Sequence, residues 1–147
     1  MTATLTGTPT QTVHDFLAAF AARDVQAAIA LVAGDAAITV HPLHVQGAGK
    51  DALRAVLDEV VAAFPDLLLT VQRVITTGDV ATALVKFEGT QARDYAGVVN
   101  QEKHLDLDQA WRFTVTNGRI SAISTYWCQQ QLYRRLAVKR FDQIAIV

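Results

Sequence analysis

One stretch decides the fold of this chain: Leu105-Asp-Leu-Asp-Gln-Ala-Trp-Arg-Phe-Thr-Val-Thr-Asn-Gly-Arg-Ile-Ser-Ala-Ile-Ser-Thr-Tyr-Trp-Cys128. It predicts two long β-strands joined at Asn117-Gly118, because Asn-Gly between two apolar alternations is a strong hairpin signal and both turn positions tolerate positive φ. Successive side chains point to opposite faces of a strand. One face of the first strand therefore collects a nearly continuous apolar set, namely Leu105, Leu107, Gln109, Trp111, Phe113 and Val115.

Gln109 is the single amide on that apolar face and the most informative residue of the sequence. A buried amide must find hydrogen-bond partners or face a cavity that supplies them. The residues alone leave two interpretations open, a structural amide bonded to a neighbouring strand or helix end, and a group of a binding site. Asp106, Asp108 and Arg112 fall on the opposite face, which we expect to meet solvent or a second subunit.

The composition bounds the class of protein. A chain of 147 residues fits one domain, and folding at this size buries roughly 68–70% of the unfolded surface, enough for a core and a pocket. We expect a disordered lead over residues 1–9 and a single domain over residues 10–147. Hydrophobic residues make up 51%, charged residues 18%, and the net charge is −1, which is typical of a globular chain.

The same composition argues against several partners. Lys and Arg residues are spread out, so nucleic acid is not an expected partner. The single cysteine, Cys128, excludes an internal disulfide. No apolar run approaches the ~20 residues of a membrane span. We therefore expect a cytoplasmic protein with no membrane partner.

Two helices are expected at the start of the chain. Thr10 or Thr12 is the expected cap of the first helix, whose apolar residues recur at the helical period. Asp24 is the expected cap of a second helix that runs through Val32 and closes at Gly34, a residue that adopts the left-handed conformation of helix ends.

Strands dominate the rest of the chain. The expected elements are a strand over residues 36–41, a loop over 44–50, a third helix over 51–64, strands over 67–75 and 80–88, a loop over 89–103, the hairpin, and a closing helix over 129–136. Helices followed by consecutive antiparallel strands are typical of an α+β fold. We expect a curved antiparallel sheet wrapped around the N-terminal helices, forming a cone with an internal pocket for a ligand.

Four short motifs follow one another along the chain, and their order and spacing are informative about the fold. They are Phe64-Pro-Asp66 after the third helix, Gly89-Thr90 after the second long strand, Gly118-Arg-Ile120 in the hairpin turn, and the Leu132–Leu136 terminus. Together they resemble the SnoaL-like polyketide cyclases, which have the cone fold of nuclear-transport-factor-like proteins, and the resemblance covers residues 10–137. It implies an enzyme of secondary metabolism, such as antibiotic biosynthesis, and a homodimer whose sheets pair face to face.

The resemblance also indicates which positions carry chemistry. Aldol-type cyclases of this family use Gln-x-His on the penultimate strand and His-x-Asp on the last, with the Asp as general acid/base. Here Gln109 matches the Gln and Trp111 stands where the His would be, while Ile123 and Thr125 replace the second His and the Asp. Neither Ile123 nor Thr125 can deprotonate a carbon acid at neutral pH. We therefore expect a reaction that depends on shape more than on proton transfer.

The sequence thus predicts a cyclase, without cofactor or metal, that acts on an apolar polyketide-like small molecule. Holding the two reacting ends of a flexible chain together contributes ~7–11 kcal/mol in favourable cases, and a concerted 4+2 cycloaddition of a polyene fits such a pocket. Gln109 is the expected donor to an activating carbonyl, and His41 is a candidate acid/base because imidazole titrates near neutrality. The expected substrate-binding residues are Trp111, Phe113, Ile123, Thr125, Trp127, Tyr95 and Phe64.

Two other functions stay open. The first is an isomerase, dehydratase or hydroxylase-type enzyme with His41 as acid/base; steroid isomerases of this fold place a general-base Asp before a proline, where this chain has His41-Pro42. The second is a protein that binds a small ligand without turnover. For Trp111 and Trp127, a place in the core is about as expected as a place in the pocket wall, and Tyr95 either covers the pocket mouth or is a solvent-exposed loop residue.

Overall fold

The structure, a computed structural model, describes residues 8–138. Its α-helices are α1 (Pro9–Ala21), α2 (Val25–Ala30), α3 (Lys50–Ala63) and α4 (Gln129–Arg135). Its strands are β1 (Val32–Val40), β2 (Val45–Ala48), β3 (Leu68–Thr77), β4 (Val80–Thr90), β5 (His104–Thr116) and β6 (Arg119–Trp127), and a short 3-10 helix (His41–Leu43) joins β1 to β2.

The six strands form one curved sheet in the order β2-β1-β6-β5-β4-β3. The predicted α+β class, with a sheet wrapped around helices, is confirmed. Neighbouring strands are antiparallel except for β1 and β6, which run parallel. The pairing registers shift within β1, β3 and β5, and such irregularities bend a strand and increase its twist. The sheet therefore has a concave face, against which the helices pack.

The predicted hairpin is confirmed. Asn117 and Gly118 connect β5 to β6, and both have positive φ, 52° and 76°, which is the requirement of the tight turn that matches the twist of two strands. The alternation along β5 is also confirmed, because the six residues assigned to its apolar face are all buried. The inner face of this hairpin therefore forms part of the interior of the protein.

The first helix begins earlier than expected. The Thr8 side chain accepts a hydrogen bond of 3.1 Å from the backbone N–H of Gln11, and Pro9 occupies the first turn. Proline suits this position because its missing N–H would have no partner there. Thr10 and Thr12 therefore lie inside α1 and do not cap it. The rest of the expected lead, residues 1–7, lies outside the described residues.

The second helix is capped as predicted but ends sooner. Asp24 accepts from the N–H of Ala27 at 3.0 Å, and α2 ends at Ala30. Val32 and Gly34 belong to β1, where the buried Val32 pairs with β6. Pairing in the sheet thus overrides the helix that the local sequence favoured.

Residues 44–50 do not form the loop that the sequence predicts. The segment contains β2, which pairs antiparallel with β1. Two glycines, at positions 47 and 49, hide this strand in the sequence because they break the apolar alternation.

The helices fill most of the concave face. On α1, Phe16 lies 5.4 Å from Phe113 and 6.1 Å from Trp111 between ring centroids, and Phe20 lies 5.9 Å from Phe87. Each fully buried large apolar side chain contributes about 1.5–3 kcal/mol relative to exposure, so this contact anchors α1 to the sheet. Within residues 8–138, we find no helix with the length and apolar character needed to cross a membrane.

Candidate functional site

A narrow hollow lies between α3 and the inner face of the hairpin. Its lining residues are Phe20, Val40, Leu53, Val56, Leu57, Val60, Phe87, Tyr95, Gln109, Trp111, Thr125 and Trp127. Val56 and Trp127 are the partly exposed members and mark the mouth, and the others are buried.

The hollow is narrower than the sequence led us to expect. About 300 Å³ between the lining residues is free of atoms when the open mouth is included, but the centre of a water-sized sphere can occupy only about 10 Å³. This is room for about one water molecule. The physical reason is that the rings of Phe20 and Trp111, 6.0 Å apart, occupy the space between α1 and β5.

Gln109 and Trp111 are joined by a hydrogen bond inside the hollow. The indole Nε1–H of Trp111 donates to Oε1 of Gln109 at 2.8 Å, and both residues are buried. An indole N–H can only donate, so its partner must be the amide oxygen. The bond therefore fixes the orientation of the amide and leaves its Nε2 group without a hydrogen-bond acceptor among the described residues.

Thr125 adds a second polar group to the same wall. It lies opposite Trp111 in the β5–β6 register, as Trp127 lies opposite Gln109. We call these four residues the hairpin patch. Thr125 is 2% exposed, and its Oγ1 has no hydrogen-bond partner within residues 8–138. The sequence predicted all four members of the patch as site residues, and the structure brings them together around the hollow.

Trp127 and Gln129 form a contact at the mouth. The half-buried indole of Trp127 donates from Nε1 to Oε1 of Gln129, the first residue of α4, at 2.8 Å. The closing helix therefore holds one side of the mouth in place.

Tyr95 lies in the wall and is not a solvent-exposed loop residue. It is 3% exposed, its ring meets Phe64 edge-on at 5.2 Å, and its backbone pairs with Val98 within the long loop. Burial, with a smaller contribution from the Glu59 carboxylate, raises the pKa of the phenol far above its usual value of 10. Tyr95 therefore stays neutral at physiological pH.

Four predicted site residues lie away from the hollow. His41 is exposed and stacks on Tyr126 outside the hollow, with ring centroids 4.4 Å apart and planes at 16°. The 3-10 helix places it away from the inner wall, and its catalytic role stays a prediction. Phe113 and Ile123 are fully buried in the core, and Phe64 lies behind Tyr95.

One wall of the hollow was not predicted from the sequence. Four members of the apolar stripe of α3, Leu53, Val56, Leu57 and Val60, line it. The helical period of these residues signals burial, but it does not distinguish a side chain that packs into the core from one that faces a hollow.

The family model described as SnoaL-like domain matches residues 13–123, which is well over half of the chain. The chain belongs to the SnoaL-like family. No curated relative matches this SnoaL-like protein.

Solved structures agree on the fold of this SnoaL-like protein. It is similar to AclR, a candidate hydroxylase from Streptomyces galilaeus, with a TM-score of 0.79 at 15% identity over 90% of this chain and 97% of the other. It is similar to wild-type IdmH, a candidate polyketide cyclase from Streptomyces antibioticus, with a TM-score of 0.77 at 24% identity over 90% and 100%. It is also similar to a Catenulispora acidiphila protein with a ketosteroid isomerase-like fold, with a TM-score of 0.74 at 16% identity over 90% of this chain and 96% of the other.

The hollow of this SnoaL-like protein offers hydrogen bonds but no strong base. Among the residues described, no carboxylate, imidazole or ammonium group lines it, and the polar members are the amide, hydroxyl, phenol and indole groups. General-base removal of a proton from carbon needs a group whose pKa lies near the working pH. The arrangement can therefore bind, orient and donate hydrogen bonds to a guest.

Proposed function

We propose that this SnoaL-like protein is a cofactor-independent cyclase that closes a carbocyclic ring in an apolar, polyketide-like small molecule. The observation that carries the proposal is the amide of Gln109, buried in an apolar hollow, fixed by Trp111 and left with unpaired N–H donors. A donor held in this way, within a wall that lacks a strong base, suits a step in which charge shifts but no proton leaves carbon.

A concerted 4+2 cycloaddition of a folded polyene is such a step. Two carbon–carbon σ bonds form at the expense of π bonds, and no atom is gained or lost. The hollow contributes by holding the two reacting ends together. A hydrogen bond from Gln109 Nε2 to a carbonyl conjugated with the reacting double bond stabilises the charge that shifts onto its oxygen.

Entry of such a guest requires the hollow to widen. Only about 10 Å³ is open to the centre of a water-sized sphere, so the side chains at the mouth must move. Trp127 is the partly exposed ring among the lining residues, and a movement of this ring would break its hydrogen bond to Gln129.

The test begins with deletion of the coding region in an organism that carries it. We expect an uncyclised precursor to accumulate, and purified protein to convert it into a cyclic product of equal mass. Gln109→Leu should raise the barrier by about 1–3 kcal/mol, the range for a lost polar contact in a dry site. Gln46→Leu, at an exposed glutamine of β2, is the matched control and should leave the rate unchanged.

Three results would contradict the proposal. A product of different mass would show a reaction other than ring closure. A bell-shaped pH–rate profile that His41→Ala removes, and that the exposed neighbour control His44→Ala does not, would show an acid/base enzyme. Precursor recovered unchanged after tight stoichiometric binding would show a binding protein without turnover.

The homodimer implied by the family resemblance is part of the proposal. The outer face of the sheet exposes apolar side chains, with Leu84 at 37% and Tyr126 at 39%. They are adjacent in register through Ala110 of β5 and line a shallow groove. Light scattering of the purified protein should give twice the mass of the chain, and a monomer at micromolar concentration would refute this part.

A further inference from the structure

We infer that Thr125 and Gln109 together form a two-point anchor for a neutral carbonyl group of the guest. In this reading Thr125 determines specificity, because it makes the hollow prefer a ketone over a hydrocarbon or a carboxylate of the same shape. The inference rests on the proposed function to the extent that it takes the hollow as the place where the guest binds.

The first observation is the hydroxyl of Thr125. It is buried, it belongs to the wall of the hollow, and no residue between 8 and 138 gives its Oγ1 a hydrogen bond. A buried hydroxyl without a partner destabilises a fold, whereas valine has nearly the same shape and no such cost. The hydroxyl of Thr125 therefore does not make the unliganded fold more stable than a valine at this position would.

The second observation is the amide of Gln109. Its oxygen is occupied by the indole of Trp111. The two N–H donors of its Nε2 group have no acceptor in the described part of the chain. The hollow thus contains two unpaired polar groups. Gln109 offers N–H donors, and the hydroxyl of Thr125 can both donate and accept.

The sheet register places these groups on one patch. Gln109 lies opposite Trp127 and Thr125 lies opposite Trp111, so Gln109 and Thr125 are diagonal neighbours on the inner face of β5 and β6. Diagonal neighbours in an antiparallel pair are about 7–8 Å apart at the backbone. One oxygen atom between the two side chains can therefore accept a hydrogen bond from each of them.

The size of the hollow agrees with a single oxygen at this place. It has room for about one water, and a water there would bridge two polar groups that otherwise lack partners. A carbonyl oxygen can take over the acceptor role of that water. A hydrocarbon cannot accept a hydrogen bond, so it would leave the Gln109 amide and the Thr125 hydroxyl unpaired.

The electrostatics of the hollow favour a neutral group. Within the described residues no Lys, Arg or His lines it, so a carboxylate would lose its hydration without gaining a counter-charge. The chemical class that fits is a neutral ketone, ester or thioester carbonyl on an apolar body.

The test uses binding without turnover. The probes are 1-tetralone, tetralin and tetralin-1-carboxylate, three molecules of similar shape that carry a ketone, no polar group and an anion. Intrinsic fluorescence reports binding, because the two tryptophans of the chain, Trp111 and Trp127, both line the hollow. We expect the parent to bind the ketone about tenfold more tightly than the hydrocarbon, and the carboxylate more weakly than both.

Three substitutions separate the explanations. Thr125→Val should reduce the preference for the ketone to about threefold, because only Gln109 then donates to the carbonyl, with a Tm no lower than that of the parent. Thr125→Ser keeps the hydroxyl and should keep the preference. Thr82→Val makes the same change on the outer face of β4 and should alter neither quantity.

An unchanged ketone preference in Thr125→Val would overturn the inference, and so would a parent that fails to bind the ketone. A lower Tm in Thr125→Val would also overturn it, because the hydroxyl would then support the fold. These outcomes differ from failure of the cyclase proposal, in which the precursor is not converted although the ketone preference and its reduction in Thr125→Val are both observed.

Discussion

Replacing Gln109 by Leu, alone and together with Trp111→Phe, measures the bond that orients the amide of the hollow. Both side chains are buried, 5% and 3% exposed, and the bond is 2.8 Å long. Leucine removes the acceptor and leaves the indole N–H without a partner in an apolar surrounding. The expected loss of unfolding free energy is about 1–3 kcal/mol. For a chain of this length it corresponds to a fall in Tm of about 3 °C for each kcal/mol.

The double substitution isolates the bond from its surroundings. Trp111→Phe alone removes the donor but also weakens packing against Phe16 and Phe20, so its cost includes lost contacts. When Gln109→Leu is added to the Trp111→Phe variant, no indole loses its acceptor, and the change should cost less than in the parent. We expect a coupling free energy of about 1 kcal/mol, within the range found for residues in contact.

Equilibrium urea denaturation followed by far-ultraviolet circular dichroism is the appropriate assay, because tryptophan fluorescence changes with the substitution itself. The exposed substitution Gln46→Leu is the matched control and should shift stability by less than about 0.5 kcal/mol. A coupling free energy below about 0.3–0.5 kcal/mol would mean that the two residues act independently. It would refute the conclusion that Trp111 fixes the orientation of the Gln109 amide.

Two further predictions concern the fold around the site. A Cβ atom on Gly89 would stand 3.0 Å from Cβ of Phe64 and 3.2 Å from Oδ1 of Asp66, so Gly89→Ala should lower the free energy of unfolding by about 1–3 kcal/mol in urea titrations. Gly34→Ala is the control, because a Cβ atom there would have no neighbour within 4 Å. Equal effects of the two substitutions would contradict the reasoning. The backbone N–H of Thr90 donates to Oδ1 of Asp66 at 2.8 Å and lowers the pKa of that carboxyl below its usual 3.8. A lowered pKa in the folded state stabilises the fold above the unfolded-state pKa, and this contribution is lost as the pH falls through the folded-state value. The Tm of the parent should therefore fall more steeply below about pH 4 than that of Asp66→Asn, and coincident curves from pH 2 to 6 would refute the assignment.

The part of the fold that could be predicted from sequence is the part fixed by local pattern. The alternation along β5 and the Asn117-Gly118 turn are enough to place Gln109, Trp111, Thr125 and Trp127 on one inner surface. That success follows from the strict two-residue period of a strand, which leaves only one way to bury the apolar face.

What could not be predicted depends on contacts distant in sequence. The parallel pairing of β1 with β6 draws Val32 into a strand and leaves α2 short. The 3-10 helix after β1 takes His41 away from the inner wall, a consequence of local backbone geometry that the His-Pro pair did not reveal. The narrowness of the hollow depends on how Phe20 and Trp111 share space, which only packing in three dimensions decides.

The parallel contact between β1 and β6 also has a consequence for how the protein is made. Residues of β1 leave the ribosome early, but their neighbour in the middle of the sheet begins only at residue 119. Until then β1 has β2 on one side and an open edge on the other, and an open strand edge is a template for pairing with other chains. Completion of the sheet therefore waits for the synthesis of β6, so messenger RNAs truncated before this strand should yield products that aggregate or depend on chaperones.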